Sequence, residues 1–256
     1  MKTVVLQTFR DYNVPEWITL TMKSVREWSA SRNYDYVFIG DEFFDYAPPW
    51  VHDKCGAQRL PITDFARLHY LKDYLSRGYE RVVWVDADVL VFRPELFDIN
   101  VPSGYAFSRE ILMLKNQDGK LHIGLPGINN AVMLFEQGNP MLDFYLLAAE
   151  SILRQVAPGR LKHTAIGTEF LSKLARTMPL ARLNCVGLFT PLLMADIAEG
   201  GRTLWPIYQK AFKYPMSAAN LCGSMTSFST EQQNTEEKYV RAIGQLLGRN
   251  IDGEEK

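Results

Sequence analysis

Two aspartates, Asp86 and Asp88, stand one residue apart inside the run Arg81–Phe92, RVVWVDADVLVF, whose other residues after Arg81 are apolar. Aspartate is depleted in strands, and a buried carboxylate is costly unless something positive meets it. The residues before Asp86 read as a strand, and in open α/β sheets ligands bind beyond the carboxyl ends of strands. Residues i and i+2 of an extended segment point the same way, so both carboxylates can project into one crevice. Side by side they repel each other, and a divalent cation resolves the repulsion. Oxygen ligands suit Mg2+ or Mn2+, which keep positions open for substrate phosphates. The structural alternative is a pair that caps a turn, or the start of a short helix at Pro94.

The surrounding pattern predicts the elements that would hold such a pair. TVVLQTF at the start of the chain reads as a short buried strand. Asn13, Pro15 and Glu16 then open a helix that runs to about Ser29. YDYVFIG (34–40) reads as a second strand closed by Gly40, and the segment from Asp41 to Leu60, with Pro48, Pro49 and Gly56, as loop. PITDFARLHYLKDYLSRG (61–78) is a helix by the spacing of Phe65, Leu68, Leu71 and Leu75, with Gly78 as its end. Strand, helix, strand, helix, strand is the signature of parallel βαβ units. Later segments are mixed. KNQDGKLH carries a turn between two strand arms, NNAVMLF (129–135) is a strand, and Pro140–Val156 and TEFLSKLA (168–175) are helices. Arg182–Thr190 reads as extended, Thr230–Leu247 as an amphipathic helix and NIDGEEK as a solvated end. One α/β domain over residues 1–256 is the expectation.

Composition narrows the function classes. The chain has 256 residues, 47% of them hydrophobic, and a net charge of -1, which gives no electrostatic case for nucleic acid or an anionic membrane. The three cysteines, Cys55, Cys185 and Cys222, match no zinc spacing or disulfide framework, which points to a reducing compartment. The N-terminus lacks the apolar stretch of a signal peptide, and no run reaches the roughly 18 apolar residues of a membrane span. A cytoplasmic location is expected. His52, His69, His122 and His163 show no paired metal-ligand spacing.

The strand–Asp-x-Asp–apolar motif, the helix beginning TDFARLHYL and the chain start VVLQTF together resemble nucleotide-sugar-dependent glycosyltransferases of the GT-A fold, a Rossmann-like mixed sheet flanked by helices. The resemblance is closest to glycosyltransferase family 32 and related sugar-transferring bacterial toxins, with their motif of an Asp and an Arg on a helix one βα unit before the DXD pair. It covers residues 1–100 well and the remainder loosely. It implies a nucleotide-sugar-binding half (1–100), an acceptor-side half (101–230) and a C-terminal helix and tail (231–256). It assigns Asp64 and Arg67 to ribose or diphosphate, and Asp86 and Asp88 to ribose and metal. Trp84 stands where the family often has Tyr. Positions i and i+3 share a helix face, a guanidinium forks onto phosphate, and the plain alternative for Asp64 and Arg67 is a surface ion pair. Thr8 and Phe9 fall where such enzymes seat base or ribose, although Phe9 could equally be core.

Downstream, GINNAVMLF (127–135) resembles the family segment whose Asn faces the donor sugar, which makes Asn129 and Asn130 candidates; a turn at a strand start is the alternative. NLCGSM (220–225) echoes the family's HxxGSW, with Asn220 in place of the metal-binding His and Met225 in place of Trp. IGTEFL (166–171) resembles a helix start on the acceptor side and offers Glu169 as an acceptor contact. The implied activity is transfer of a hexose from a nucleotide diphosphate sugar, a UDP-sugar by the resemblance with guanine as the alternative base, to a carbohydrate or glycolipid acceptor in polysaccharide biosynthesis. The family retains configuration. Inversion would need a carboxylate base, for which Glu169 or Asp143 would serve. Two rivals stay open: a catalytically silent nucleotide-sugar-binding partner, suggested by Asn220 and Met225, and a haloacid dehalogenase-type phosphatase. The phosphatase requires paired acids downstream, where the chain has only isolated ones such as Asp196.

Overall fold

The computed structural model describes residues 1–157, 160–226 and 236–248. The first half is built as the periodicity requires. β1 (Thr3–Thr8), α1 (Glu16–Ser31) and β2 (Asp35–Ile39) come first, then a 3-10 turn (Asp41–Tyr46) and a short helix α2 (Pro49–Cys55). α3 (Arg59–Ser76) and β3 (Arg81–Val85) follow, and β1 pairs in parallel with both β2 and β3. Val4, Val5 and Leu6 and all five residues of β3 are buried, because helices cover both faces of a parallel sheet. The expectation of loop over residues 41–60 is corrected: Pro49 takes the first turn of α2 and Gly56, at φ 54°, ends it. The same Pro and Gly that read as punctuation are the caps of a helix.

After Asp88 the chain changes sheets. β4 (Val89–Val91) leaves the main sheet, while β5 (Tyr105–Glu110), the hairpin of β6 (Met113–Lys115) and β7 (Leu121–Ile123), and β8 (Gly127–Glu136) follow. β8 is antiparallel to both β3 and β5. Next come α4 (Met141–Gln155), α5 (Thr168–Leu174), β9 (Arg182–Leu183), β10 (Val186–Leu188), α6 (Pro191–Ala198), α7 (Leu204–Phe212), β11 (Ala218–Asn220), the single turn α8 (Gly223–Thr226) and α9 (Glu236–Gly248). The main sheet is ordered β2-β1-β3-β8-β5-β9, and a second sheet β10-β11-β4. Residues 230–235 of the expected C-terminal helix, and the tail NIDGEEK, lie outside the described residues.

Three apolar clusters cement these layers. One joins β1, β3 and β8 to α3 and α4, a second fills the opposite face around Trp28 and Phe97, and a third sits beneath α6, α7 and α9. Two hydroxyls of α1 fasten the sheet change: Thr21 donates to the Ala87 carbonyl at 2.6 Å, and Ser24 accepts from the Val91 amide at 2.9 Å. Asp86 and Asp88 therefore occupy the junction between two sheets, with a helix holding the backbone between them. Among the described residues no helix is long and apolar enough to cross a membrane.

Candidate functional site

The backbone fixes Asp86 from two sides. Its amide donates to the Ala131 carbonyl of β8 at 2.7 Å, and its carbonyl accepts from Gln7 Nε2 of β1 at 3.2 Å. β8 is irregular here: Met133 faces Phe107 and Asn129 faces Ser108, so residues 130–132 have no partner in β5. Ser108 Oγ bridges the gap, donating to the Asn129 carbonyl at 2.8 Å. A bulge of this kind re-aims side chains next to a site. Asn130 turns toward α3 and donates through Nδ2 to Asp64 Oδ1 at 2.8 Å, while Asn129 donates to Glu110 Oε2 at 3.0 Å.

Around Asp86 the side chains form one network. Trp84 Nε1 donates to Asp86 Oδ1 at 2.6 Å. Arg67 Nη1 lies 3.2 Å from the same oxygen and donates to the Asn130 carbonyl at 2.9 Å, and Nη2 lies 3.5 Å from Asp64 Oδ1. The guanidinium rests over the Trp84 ring at 5.1 Å. Asp64 and Arg67 are buried, at 7% and 4% exposure, which excludes the surface ion pair. Asp88 looks to the second sheet. Its two oxygens accept from Asn220 Nδ2 at 3.1 Å and from the Gly223 amide at 2.7 Å.

Charge is out of balance in this cluster. Asp64, Asp86 and Asp88 share one buried cation, Arg67. Burial raises the carboxyls of Asp64 and Asp86 despite Arg67. Burial, and then repulsion from Asp86, push Asp88 up to about 7. Asp86 and Asp88 are both partly open to solvent, so the surplus negative charge can be met from outside. A divalent oxygen-seeking cation fits that surplus. Among the described residues no group of three His, Cys, Asp or Glu gathers around one point, so such an ion would take its remaining ligands from water and substrate.

The structure gives each of the expected site residues a definite set of contacts. Trp84 is fully buried under Arg67 and orients Asp86 instead of touching a ligand. Arg67, expected to fork onto phosphate, sets its Nη atoms against Asp86, Asp64 and the Asn130 carbonyl. Asn220 Oδ1, the atom expected to ligate metal, accepts from the Cys222 amide at 2.7 Å, and its Nδ2 faces Asp88. Turning the amide over would set donor against donor at the Cys222 amide and acceptor against acceptor at the Asp88 carboxylate. Asn130 serves Asp64 and Asn129 serves Glu110, so neither is free to face a sugar in this arrangement. Glu169 is paired with Lys173 at 2.7 Å and Lys162 at 3.3 Å, and these lysines, Lys173 foremost, hold its carboxyl below the usual range. A carboxylate so paired is a poor base. Asp143 is exposed and paired with Lys72, eight residues or about 12 Å along α3 from Asp64. Thr8 ends β1 and donates to the Ile39 carbonyl at 2.8 Å, and Phe9 is half-buried and belongs to no core cluster.

Three residues of the site are not singled out in the sequence. Glu110, at the same end of the sheet, is a half-buried carboxyl raised by burial and held by Asn129. Gly167 opens α5 directly over the network: a Cβ there would stand 2.5 Å from Asp64 Oδ2 and 3.1 Å from Asn130 Nδ2. Gly223 is similar, with Trp17 at 3.0 Å and Asp88 Oδ2 at 3.1 Å from a Cβ. A glycine ahead of a helix start is a visible signal for the last two, whereas an isolated Glu late in a strand gives none.

No family model matches the chain, and no curated protein matches it in sequence. Among solved structures it is similar to a glycosyltransferase involved in the glycosylation of the major capsid of PBCV-1. That match has a TM-score of 0.50 and 12% identity, over 94% of this chain and 99% of the other. A second match is the glycosyltransferase GlyE of Streptococcus pneumoniae TIGR4, with a TM-score of 0.43 and 13% identity, over 98% of this chain and 64% of GlyE. The first likeness shows the fold: a mixed α/β sheet flanked by helices, of glycosyltransferase architecture.

Proposed function

We propose that this chain is a metal-dependent glycosyltransferase of the family 32 type, moving a hexose from a UDP-sugar to an acceptor hydroxyl with retention. The observation that carries the reading is the acid surplus at the sheet junction: three carboxylates, one buried arginine, and an opening on Asp86 and Asp88. That surplus repels a bare diphosphate and welcomes it only together with a cation. Asp88 and Asp86 would hold Mn2+ or Mg2+, which neutralises charge developing on the leaving diphosphate.

The protein's own residues supply order. Arg67 and Trp84 fix the rotamer of Asp86, while Asn130 and Arg67 fix Asp64 for ribose hydroxyls. Thr8 and Phe9, at the end of β1, remain the candidates for the base. Glu169 is occupied by lysines and Asp143 is remote, so neither serves as the base that inversion requires, and retention follows the family resemblance. A silent nucleotide-sugar-binding partner is the second reading, favoured by one observation: Asn220 uses its carbonyl on Cys222 and leaves the ligand set one short.

Calorimetry with a panel of nucleotide sugars and Mn2+, followed by donor hydrolysis, separates these readings. Donor binding and turnover that Asp88→Ala abolishes, with circular dichroism unchanged, is the expected result. Turnover that survives Asp88→Ala refutes the assignment. Binding without turnover of any donor selects the silent partner, and phosphate release from simple monoesters without donor binding selects the phosphatase.

A further inference from the structure

The mirror image of the acid surplus lies further along the same sheet edge. Arg109, in β5, is 93% buried, since only 7% of its surface is exposed. Arg182, in β9, is on the adjacent strand, whose register pairs Phe107 with Arg182. Nε of each guanidinium is buried without a hydrogen-bond partner, and neither arginine forms an ion pair among the described residues. The groups that act on Arg109 are Tyr214, Tyr208 and Arg182 itself, with no carboxylate among them. Like charges on adjacent strands, one of them buried, repel each other, and an anion between them relieves the repulsion.

Aromatic rings prepare this pair for an oxyanion. The Arg109 guanidinium lies over Tyr214 at 5.1 Å and over Phe212 at 5.7 Å. Guanidinium donors lie in its plane, so rings against its faces leave the edge free for phosphate oxygens. Room exists next to Arg182, the neighbour on β9, which lines a groove of about 400 Å3 with Arg176, Thr177, Met178 and Pro179.

We propose that Arg109 and Arg182 form a second anion site, which binds a phosphate group carried by the sugar acceptor. The position argues for the acceptor and against the donor. In the order β3-β8-β5, the backbone of β5 lies two strand spacings, about 10 Å, from that of β3, which sets Arg109 to one side of the strand that leads into the aspartates. β5 runs in the same sense as β3, both being antiparallel to β8, so Arg109 and the aspartates share one end of the sheet. The acceptor assignment rests on the transferase reading, while the anion site does not.

Inorganic phosphate titrated into the full chain in the presence of a chelator tests the site, because without metal the aspartate cradle repels phosphate. Saturable binding is expected, weakened at least tenfold by Arg182→Gln and less by Arg182→Lys, and retained by Asp88→Asn. Arg182 is half-exposed, so these variants should fold even if Arg109→Gln does not. No saturable binding, or binding indifferent to Arg182→Gln, overturns the site. A hexose phosphate and the parent hexose are then compared. At least tenfold tighter binding of the hexose phosphate than of either the hexose or free phosphate supports the acceptor; equal binding of free and sugar-borne phosphate overturns that assignment. Phosphate binding that depends on Arg182 in a protein that binds no nucleotide sugar would sink the transferase reading and leave the anion site standing.

Discussion

Arg67 is the residue on which the arrangement of the cradle turns. Its Nη atoms reach Asp86 at 3.2 Å and Asp64 at 3.5 Å, so one buried guanidinium serves two acids. Breaking a buried pair by removing one partner leaves a charge stranded and commonly costs about 3–5 kcal/mol. Arg67→Met, close in shape but neutral, should destabilise the metal-free protein by about that much at pH 8. The deficit should shrink at pH 5, because burial already raises Asp64 and Asp86, and losing Arg67 raises them further, so both take up protons and the stranded charge vanishes. Urea unfolding of both proteins at the two pH values measures this. Equal deficits would mean that Arg67 acts by packing on Trp84 and not through its charge.

At the level of elements, what the sequence exposes and what it hides follow from the range of the interactions. Periodicity and end signals are local, which is why β1, α1, β2, α3 and β3 stand where the pattern places them. The short helix α2 was hidden because Pro49 and Gly56 suit either a loop or a pair of caps, and seven residues give too little periodicity to decide. The pair Asp86 and Asp88 is legible as an anomaly in an apolar run. Their partners are not, since Asn130 reaches Asp64 only through a bulge and Gly223 meets Asp88 across 135 positions of chain. The start of α5 shows the same dependence. At Gly167 a Cβ would meet Asp64 Oδ2 at 2.5 Å, and that oxygen belongs to a carboxylate pinned by Asn130 and Arg67. Gly167→Ala should therefore lower stability by about 1–3 kcal/mol and weaken donor binding, as overpacking does. Gly244→Ala is the matched control: it lies in α9 with nothing within 4 Å of a Cβ, and helix propensity alone makes it neutral or stabilising by up to about 1 kcal/mol. Thermal melts of the two variants decide the matter, and a silent Gly167→Ala would show that α5 can lift away from Asp64 at no cost.

Taken whole, the molecule puts its most strained charge where its two sheets meet. Asp86 closes a strand of the first sheet, and Asp88 is gripped by Asn220 and Gly223 at the end of β11 in the second. The Asp88 carboxyl, at about 7, takes up its proton more readily in the fold than in the unfolded chain. The folded state thus holds more protons between its ordinary value of 3.8 and about 7, and across that window the metal-free protein loses stability as pH rises. A cation reverses the sign, because it competes with the proton and binds only when both sheets are in place. At pH 6 about a tenth of Asp88 is ionised and at pH 8 about nine tenths, so apparent Mn2+ affinity should tighten roughly tenfold between them. The rise in melting temperature produced by Mn2+ should be larger at pH 8 than at pH 6. Calorimetric titration together with melts at both pH values checks the two effects. An Mn2+ affinity that ignores pH over this range would show that the ion does not displace the Asp88 proton, and would remove the sheet junction as its seat.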